Sequence, residues 1–271
     1  MRLIALALLL AAAHATALEV DGRWTQGGYV SGTVEPGSQV RIDGQQVAVT
    51  ADGDFAFGLG FDAPLAAALT ITGPDGVVTR HEFPVAARDY PESRINGLPG
   101  AMVTPPKAVL DRIARDNREV GKARAPRRAQ QDFGAGFQWP VQGRISGEFG
   151  AKRILNGVPR QPHFGIDIAA PEGTPIEASA GGVVTMANPD LYYTGGTIIL
   201  DHGLGISTTY LHLSRLDVEV GDRVEKGQVI GLVGMTGRAT GPHLCWRANW
   251  NAVRFDPSLL VEAVPARTQP K

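Results

Sequence analysis

The sequence predicts a mostly β protein, built as two modules joined by a connecting helix. Short runs of alternating apolar and polar residues recur at spacings of about 8–12 residues, as strands do. Glycine (34) and proline (19) are both plentiful, which suits a chain with many turns. A helical apolar period occurs only near residues 105–120 of the 271. At 43% hydrophobic and 20% charged, the chain has globular composition, and its formal net charge of −1 gives no general attraction to nucleic acid.

Residues 1–17 read as a signal peptide. Arg2 precedes an apolar run from Leu3 to Ala13, and Ala15-Thr16-Ala17 fits cleavage after Ala17. The run is too short to span a bilayer as a mature helix. A secreted or periplasmic location follows as an expectation, and with no cysteine after the run a lipoprotein anchor is not expected. Residues 18–90 alternate in short strands broken by Asp43-Gly44, Asp52-Gly53 and Asp75-Gly76, which indicates hairpins in a small sandwich. This module is similar to bacterial immunoglobulin-like domains and reads as a spacer or docking unit. Its lone His81 has no ligand partner nearby in sequence.

Residues 91–136 form the connector. Thr104 is placed to cap a helix, with Pro105 at its first position and Gly121 just past its end. Val109, Leu110, Ile113 and Val120 supply a partial apolar stripe. Lys122, Arg124, Arg127 and Arg128 follow as a basic run, read as a solvated linker in preference to a patch for anionic wall polymers. Residues 137–264 contain strands between glycine turns and no long helical period, so two antiparallel sheets with a groove are expected. Residues 265–271 form a tail.

The residue types with metal chemistry gather in this second module. His163 and Asp167 lie four apart, Tyr210 and His212 two apart, and His243 and Cys245 two apart. On extended backbone such spacings put side chains on one face. Three elements can therefore aim histidines, an aspartate and the only cysteine at one point. His202 lacks a partner at such spacing and reads as structural.

With Ser146-Gly147-Glu148-Phe149-Gly150, Gly173-Thr174-Pro175-Ile176, Asp201-His202-Gly203 and Thr240-Gly241-Pro242-His243, these residues resemble the lysostaphin-like (LytM-domain) zinc metallopeptidases from Trp139 to Pro257. The resemblance implies an antiparallel sheet domain of the duplicated hybrid motif type. It implies zinc held by His163, Asp167 and residue 245, with His212 and His243 as the catalytic pair. The implied reaction is hydrolysis of peptide cross-links in bacterial peptidoglycan by a metal-activated water. Residue 245 departs from the family's pattern, in which it is histidine. A thiolate is a competent zinc ligand, but His, Asp and thiolate bring −2 where two His and one Asp bring −1. A more compensated zinc is a weaker Lewis acid, so slower turnover is expected.

Two other readings of Cys245 and of the chain stay open here. A free cysteine is commonly a small buried hydrophobe. A catalytically degenerate relative would bind the wall, or regulate a cell-wall amidase or division partner. The stretch from Val218 to Val233 also resembles biotinyl and lipoyl carrier hairpins, but it offers no tip lysine in the right setting. The loop from Ala151 to Gln161 borders His163 and is expected at the groove's rim.

Overall fold

The computed structural model describes residues 18–125 and 128–261. The expected signal peptide, Arg127 and the tail lie outside the described residues. The first module consists of β1 (Glu19–Gly22), β2 (Tyr29–Thr33), β3 (Gln39–Ile42), β4 (Gln45–Val47), β5 (Asp54–Gly58), β6 (Ala66–Thr72) and β7 (Val78–Pro84). They form two sheets, ordered β1-β2-β5 and β4-β3-β6-β7. Asp43 (φ 47°) and Gly44 (φ 79°) are both left-handed, as a two-residue hairpin turn between β3 and β4 requires. Val40, Ile42, Val47, Phe55, Phe57 and Leu69 fill the space between the sheets.

That core does not stop at the module boundary. One apolar cluster continues into the second module. Phe57 meets Trp250 with ring centroids 6.0 Å apart, and Tyr29 meets Phe255 at 5.8 Å. Arg88 pairs with buried Asp256 at 2.9 Å beside this seam. Apolar burial at about 25 cal/mol per Å² makes such a seam a docking surface and not a swivel.

The connector departs from its expected form. It begins with β8 (Glu92–Ile95), followed by α1 (Gly100–Val103) and α2 (Lys107–Ala123). Strand β8 pairs in parallel with β10 (Lys152–Leu155), so residues 91–136 are not merely a linker. Thr104 is not the cap of α2, which begins after Pro106 without a side-chain cap. Pro106 disfavours helical backbone at Pro105, and this moves the start. Gly121 does not end the helix. Its cost of about 1 kcal/mol is offset because Val120 and Ala123 pack on Met186, Leu191 and Ile199. The solvated reading of the basic run is also corrected for two residues. Arg128 bonds to both Asp201 and Asp132 at 2.6 Å, and Arg124 is held against Thr209.

The second module adds β9 (Arg144–Gly147), β11 (Val158–Pro159), β12 (Ile166–Ala169), β13 (Pro175–Glu177), β14 (Gly182–Leu191), β15 (Gly195–Gly203), β16 (Ile206–Leu213), β17 (Arg215–Leu216), β18 (Arg223–Val224), β19 (Val229–Leu232), β20 (His243–Trp250) and β21 (Val253–Phe255). The main sheet is antiparallel and ordered β18-β14-β15-β16-β20-β12-β9, with β21 on β20. A smaller sheet, β13-β19-β17, lies apart from it. The expected loop 151–161 is a hairpin: Asn156 (φ 47°) and Gly157 (φ 82°) turn β10 into β11. No helix among the described residues is long and apolar enough to cross a membrane.

Candidate active site

Strands β12 and β20 carry the centre. They pair with Asp167 opposite Cys245 and Ala169 opposite His243. The alternation of β20 therefore keeps His243 and Cys245 on one face, as their spacing predicts. His163 arrives from the turn before β12, with its backbone fixed to Ala151 and Gly150. Two glycines allow the close approach. A Cβ on Gly147 would sit 2.5 Å from Asp167 Oδ2, and one on Gly165 would sit 2.6 Å from Arg247 Cγ and 2.7 Å from the Trp246 carbonyl.

His212 reaches the centre by a different route from the one expected. Tyr210 and His212 do not share a face. The Tyr210 hydroxyl lies at 2.8 Å from Ser179 Oγ and 3.0 Å from Thr208 Oγ1, inside the core. Pairing of β15 with β16 shifts register between Gly196 and Thr197, and His212 takes φ 68°. That left-handed backbone is unusual for histidine and costs about 1–3 kcal/mol. It turns the ring toward His243, at 4.8 Å between centroids.

Hydrogen bonds fix which ring nitrogens are free. The Nδ1 atoms of His163, His212 and His243 lie 3.2, 2.7 and 2.8 Å from the carbonyls of Glu148, Thr236 and Gly241. A carbonyl only accepts, so Nδ1 carries the proton and each Nε2 keeps its lone pair in the neutral ring. Burial, then proximity to His243, pushes His212 down to about 3, and burial lowers His163 as well. Burial opposes charge on Asp167, yet the Arg153 guanidinium paired with it helps hold its carboxyl well below the usual range. Burial and the Asp167 charge push the Cys245 thiol up to about 12 without a metal present.

Three donor atoms from His163, Asp167 and Cys245 lie within 4.8 Å of one another. His163 Nε2 is 3.3 Å from Cys245 Sγ and 3.1 Å from Asp167 Oδ1. Asp167 Oδ1 is buried, also 3.7 Å from His243 Nε2, and receives a hydrogen bond from neither ring. Two lone-pair atoms facing each other in a buried site call for a cation between them. Zinc with ligands at about 2.0–2.3 Å would want tetrahedral donors spaced by roughly 3.3–3.6 Å. The set fits a divalent metal of that kind.

The sequence profile of Peptidase family M23 matches residues 161–257. The C-terminal module belongs to this family. A DD-carboxypeptidase/endopeptidase, Mpg, from Neisseria meningitidis is 39% identical over 140 residues, 52% of this chain and 32% of that protein. A peptidoglycan DD-endopeptidase, ShyA, from Vibrio cholerae is 43% identical over 118 residues, 43% of this chain and 26% of that protein. The chain thus matches about a third or less of the length of these curated relatives. A crystal structure of an M23 peptidase from Pseudomonas aeruginosa covers 89% of this chain and 96% of its own, at 29% identity and a TM-score of 0.70. Zinc is the cofactor that the M23 family and the donor set imply.

The M23 domain brings together five of the six residues singled out by spacing, His163, Asp167, His212, His243 and Cys245, and leaves Tyr210 in the core. His202 stays out of the group, with its two nitrogens bonded to the Gly181 carbonyl and Thr208 Oγ1 at 2.6 and 2.7 Å. Motif reading missed the arginines around the centre. Arg153 bonds Asp167 Oδ2 at 2.9 Å from the hairpin β10–β11. Arg247 lies two residues beyond Cys245 on β20, so strand alternation alone places it on the same face.

Proposed function

We propose that this chain is a zinc-dependent endopeptidase that hydrolyses peptide cross-links of bacterial peptidoglycan outside the cytoplasm. One observation carries the reading: three donor atoms converge within 4.8 Å, with buried Asp167 Oδ1 left without a hydrogen bond, beside two histidines whose Nε2 atoms are open. In this reading His163, Asp167 and Cys245 hold the metal. Bound zinc would polarise a scissile carbonyl and lower the pKa of water from about 15.7 to near 7. His212 and His243, anchored through Nδ1, take a proton at Nε2 and deliver it to the leaving amine. Once protonated, either ring also stabilises the oxyanion. The DD-endopeptidase activities of Mpg and ShyA favour a DD cross-link as the bond, and the peptidoglycan substrate of ShyA supports an extracytoplasmic site of action.

Cys245 favours one second reading, a wall-binding protein or amidase regulator with little turnover. Zinc content of the purified protein and digestion of isolated peptidoglycan separate the two. One zinc per chain with released muropeptides supports the peptidase. Intact fold with neither supports the regulator. Cys245→His sharpens the test, because restoring a neutral ligand is expected to raise kcat by about tenfold, roughly 1.4 kcal/mol at the transition state. Unchanged or lower turnover in that variant would count against the charge reasoning.

A further inference from the structure

A second chemistry lies beside the five-residue centre. Arg153, Arg160, Arg238, Arg247 and Arg254 line one cavity of about 630 Å³ that also reaches His163 and His212. Among the described residues no acidic side chain lines it. A neighbouring recess shares Arg247 and Arg254 and adds Arg124 along with Asp116, whose carboxylate accepts from the Tyr192 amide. With a formal net charge of only −1 on the chain, this is a local concentration of positive charge.

These guanidiniums are poorly compensated. Among the described residues, only Arg153 of the five has a carboxylate partner, Asp167 at 2.9 Å. Arg160 and Arg238 donate to the backbone carbonyls of Val103 and Met102. Arg238 and Arg254 lie over the rings of Tyr193 and Phe164. The Nε atoms of Arg124 and Arg247 are buried without a hydrogen-bond partner. Burial, then the charges of Arg247 and Arg254, pushes Arg124 down to about 9. Arg238 and Arg254 are lowered by burial first and then by neighbouring arginines. Half-buried like charges with unused donors cost free energy until an anion completes them.

We propose that this cavity is an anion subsite that binds carboxylates of an acidic peptide substrate, with Arg238, Arg247 and Arg254 as its contacts. The proposal rests on the endopeptidase reading of the adjacent centre and gives that reading a substrate class. Planar guanidinium forks match carboxylates, and they are more weakly hydrated than ammonium groups. The cavity is within the size range of ligand pockets, about 300–1,000 Å³, and is too large for a single inorganic anion. Because it opens on His163 and His212, a peptide held by its carboxylates presents its backbone to the centre.

The test uses the full chain and two synthetic peptides. One is L-Ala-D-Glu-Lys-D-Ala cross-linked through the lysine side chain, with the glutamyl and terminal carboxyls free. The other carries carboxamides at both positions. For the zinc-loaded protein, kcat/KM is expected to be at least about tenfold higher for the free acid, as charge-assisted hydrogen bonds predict. In Arg238→Gln and Arg254→Gln that ratio falls toward one, and Arg254→Lys keeps part of it. Equal rates in the parent, or an unchanged ratio in both glutamine variants, would overturn the proposal. Calorimetry of both peptides with metal-free protein keeps the two readings distinguishable. Selective binding of the free acid without hydrolysis of either peptide sinks the endopeptidase reading and keeps the subsite. Hydrolysis of both with equal binding does the reverse. Inorganic phosphate binding as tightly as the free acid would also overturn it.

Discussion

Two kinds of histidine sit in the same module and differ in one respect. His202 has both ring nitrogens occupied, Nδ1 by the Gly181 carbonyl and Nε2 by Thr208 Oγ1. His163, His212 and His243 each have a carbonyl on Nδ1, with Nε2 turned into the shared centre. The same contrast holds for the charges nearby. Asp201 and Asp132 are met by Arg128, and Asp132 also by Arg223. Asp167 keeps one buried oxygen without a hydrogen bond. A histidine held at both nitrogens by backbone carbonyl and hydroxyl is a structural crosslink, and one whose Nε2 is open or faces only other metal-type donors, as His163 faces Cys245 Sγ, is poised for a metal or a proton.

Exchanging the two kinds of histidine for alanine should give opposite phenotypes, and this is the largest effect expected. His212→Ala should lower kcat by about 10²–10⁴ while the melting temperature changes by only a few degrees, since the variant loses a ring held in strained backbone. His202→Ala should leave kcat near the parent value but cost about 2–3 kcal/mol, because it strands two buried polar groups and opens a void. Paired kinetics and thermal melts check both. A stable, inactive His202→Ala would break the distinction between the groups.

The legible part of this centre followed from strand alternation and motif spacing. Asp167, His243 and Cys245 lie on paired strands, so strand alternation gives their facing, and His163, just before β12, is found by its spacing of four from Asp167. His212 was found through its motif, but its facing was not readable, because it depends on a register shift and a φ of 68° that alternation does not contain. The Asn156-Gly157 dipeptide is a hairpin signal, and reading 151–161 as a loop leaves it unused. Arg128 looked like a linker residue because its partner Asp201 lies 73 positions away in sequence. Short-range charge patterns carry no sign of such a pair, and the same holds for the arginines that converge on the cavity from β10, β20 and the segment after β19.

A smaller effect probes how tightly the centre is built. Gly147→Ala places a methyl 2.5 Å from Asp167 Oδ2, the oxygen that Arg153 holds. Asp167 is then forced off its position with all five site residues still present. Zinc affinity is expected to fall by about 10–100-fold, the range seen when the supports of a ligand are disturbed, with the fold retained. Competition against a chromogenic chelator measures it. Undiminished affinity would mean that the ligand set tolerates movement, and the contrast between a rigid centre and its surroundings would weaken.

The smallest effect tests the satisfied region in isolation. Asp132 accepts from Arg223 at 2.9 Å and Arg128 at 2.6 Å, and its backbone amide donates to the His202 carbonyl. Burial raises its pKa, but the two arginines outweigh that, so the folded value lies below the ordinary one. A depressed folded pKa contributes stability above the unfolded value, near 3.9, and that contribution is lost as pH falls through the folded value. Asp132→Asn should therefore cost about 1 kcal/mol at pH 7, with the deficit closing below about pH 4 as the parent takes up its proton. Urea midpoints of the parent and variant at pH 7 and pH 3 give the comparison. A deficit of equal size at both would assign the effect to lost packing and not to the paired charge. Zinc content should be the same in both proteins, because this network fixes His202 and leaves the open Nε2 atoms of the centre untouched.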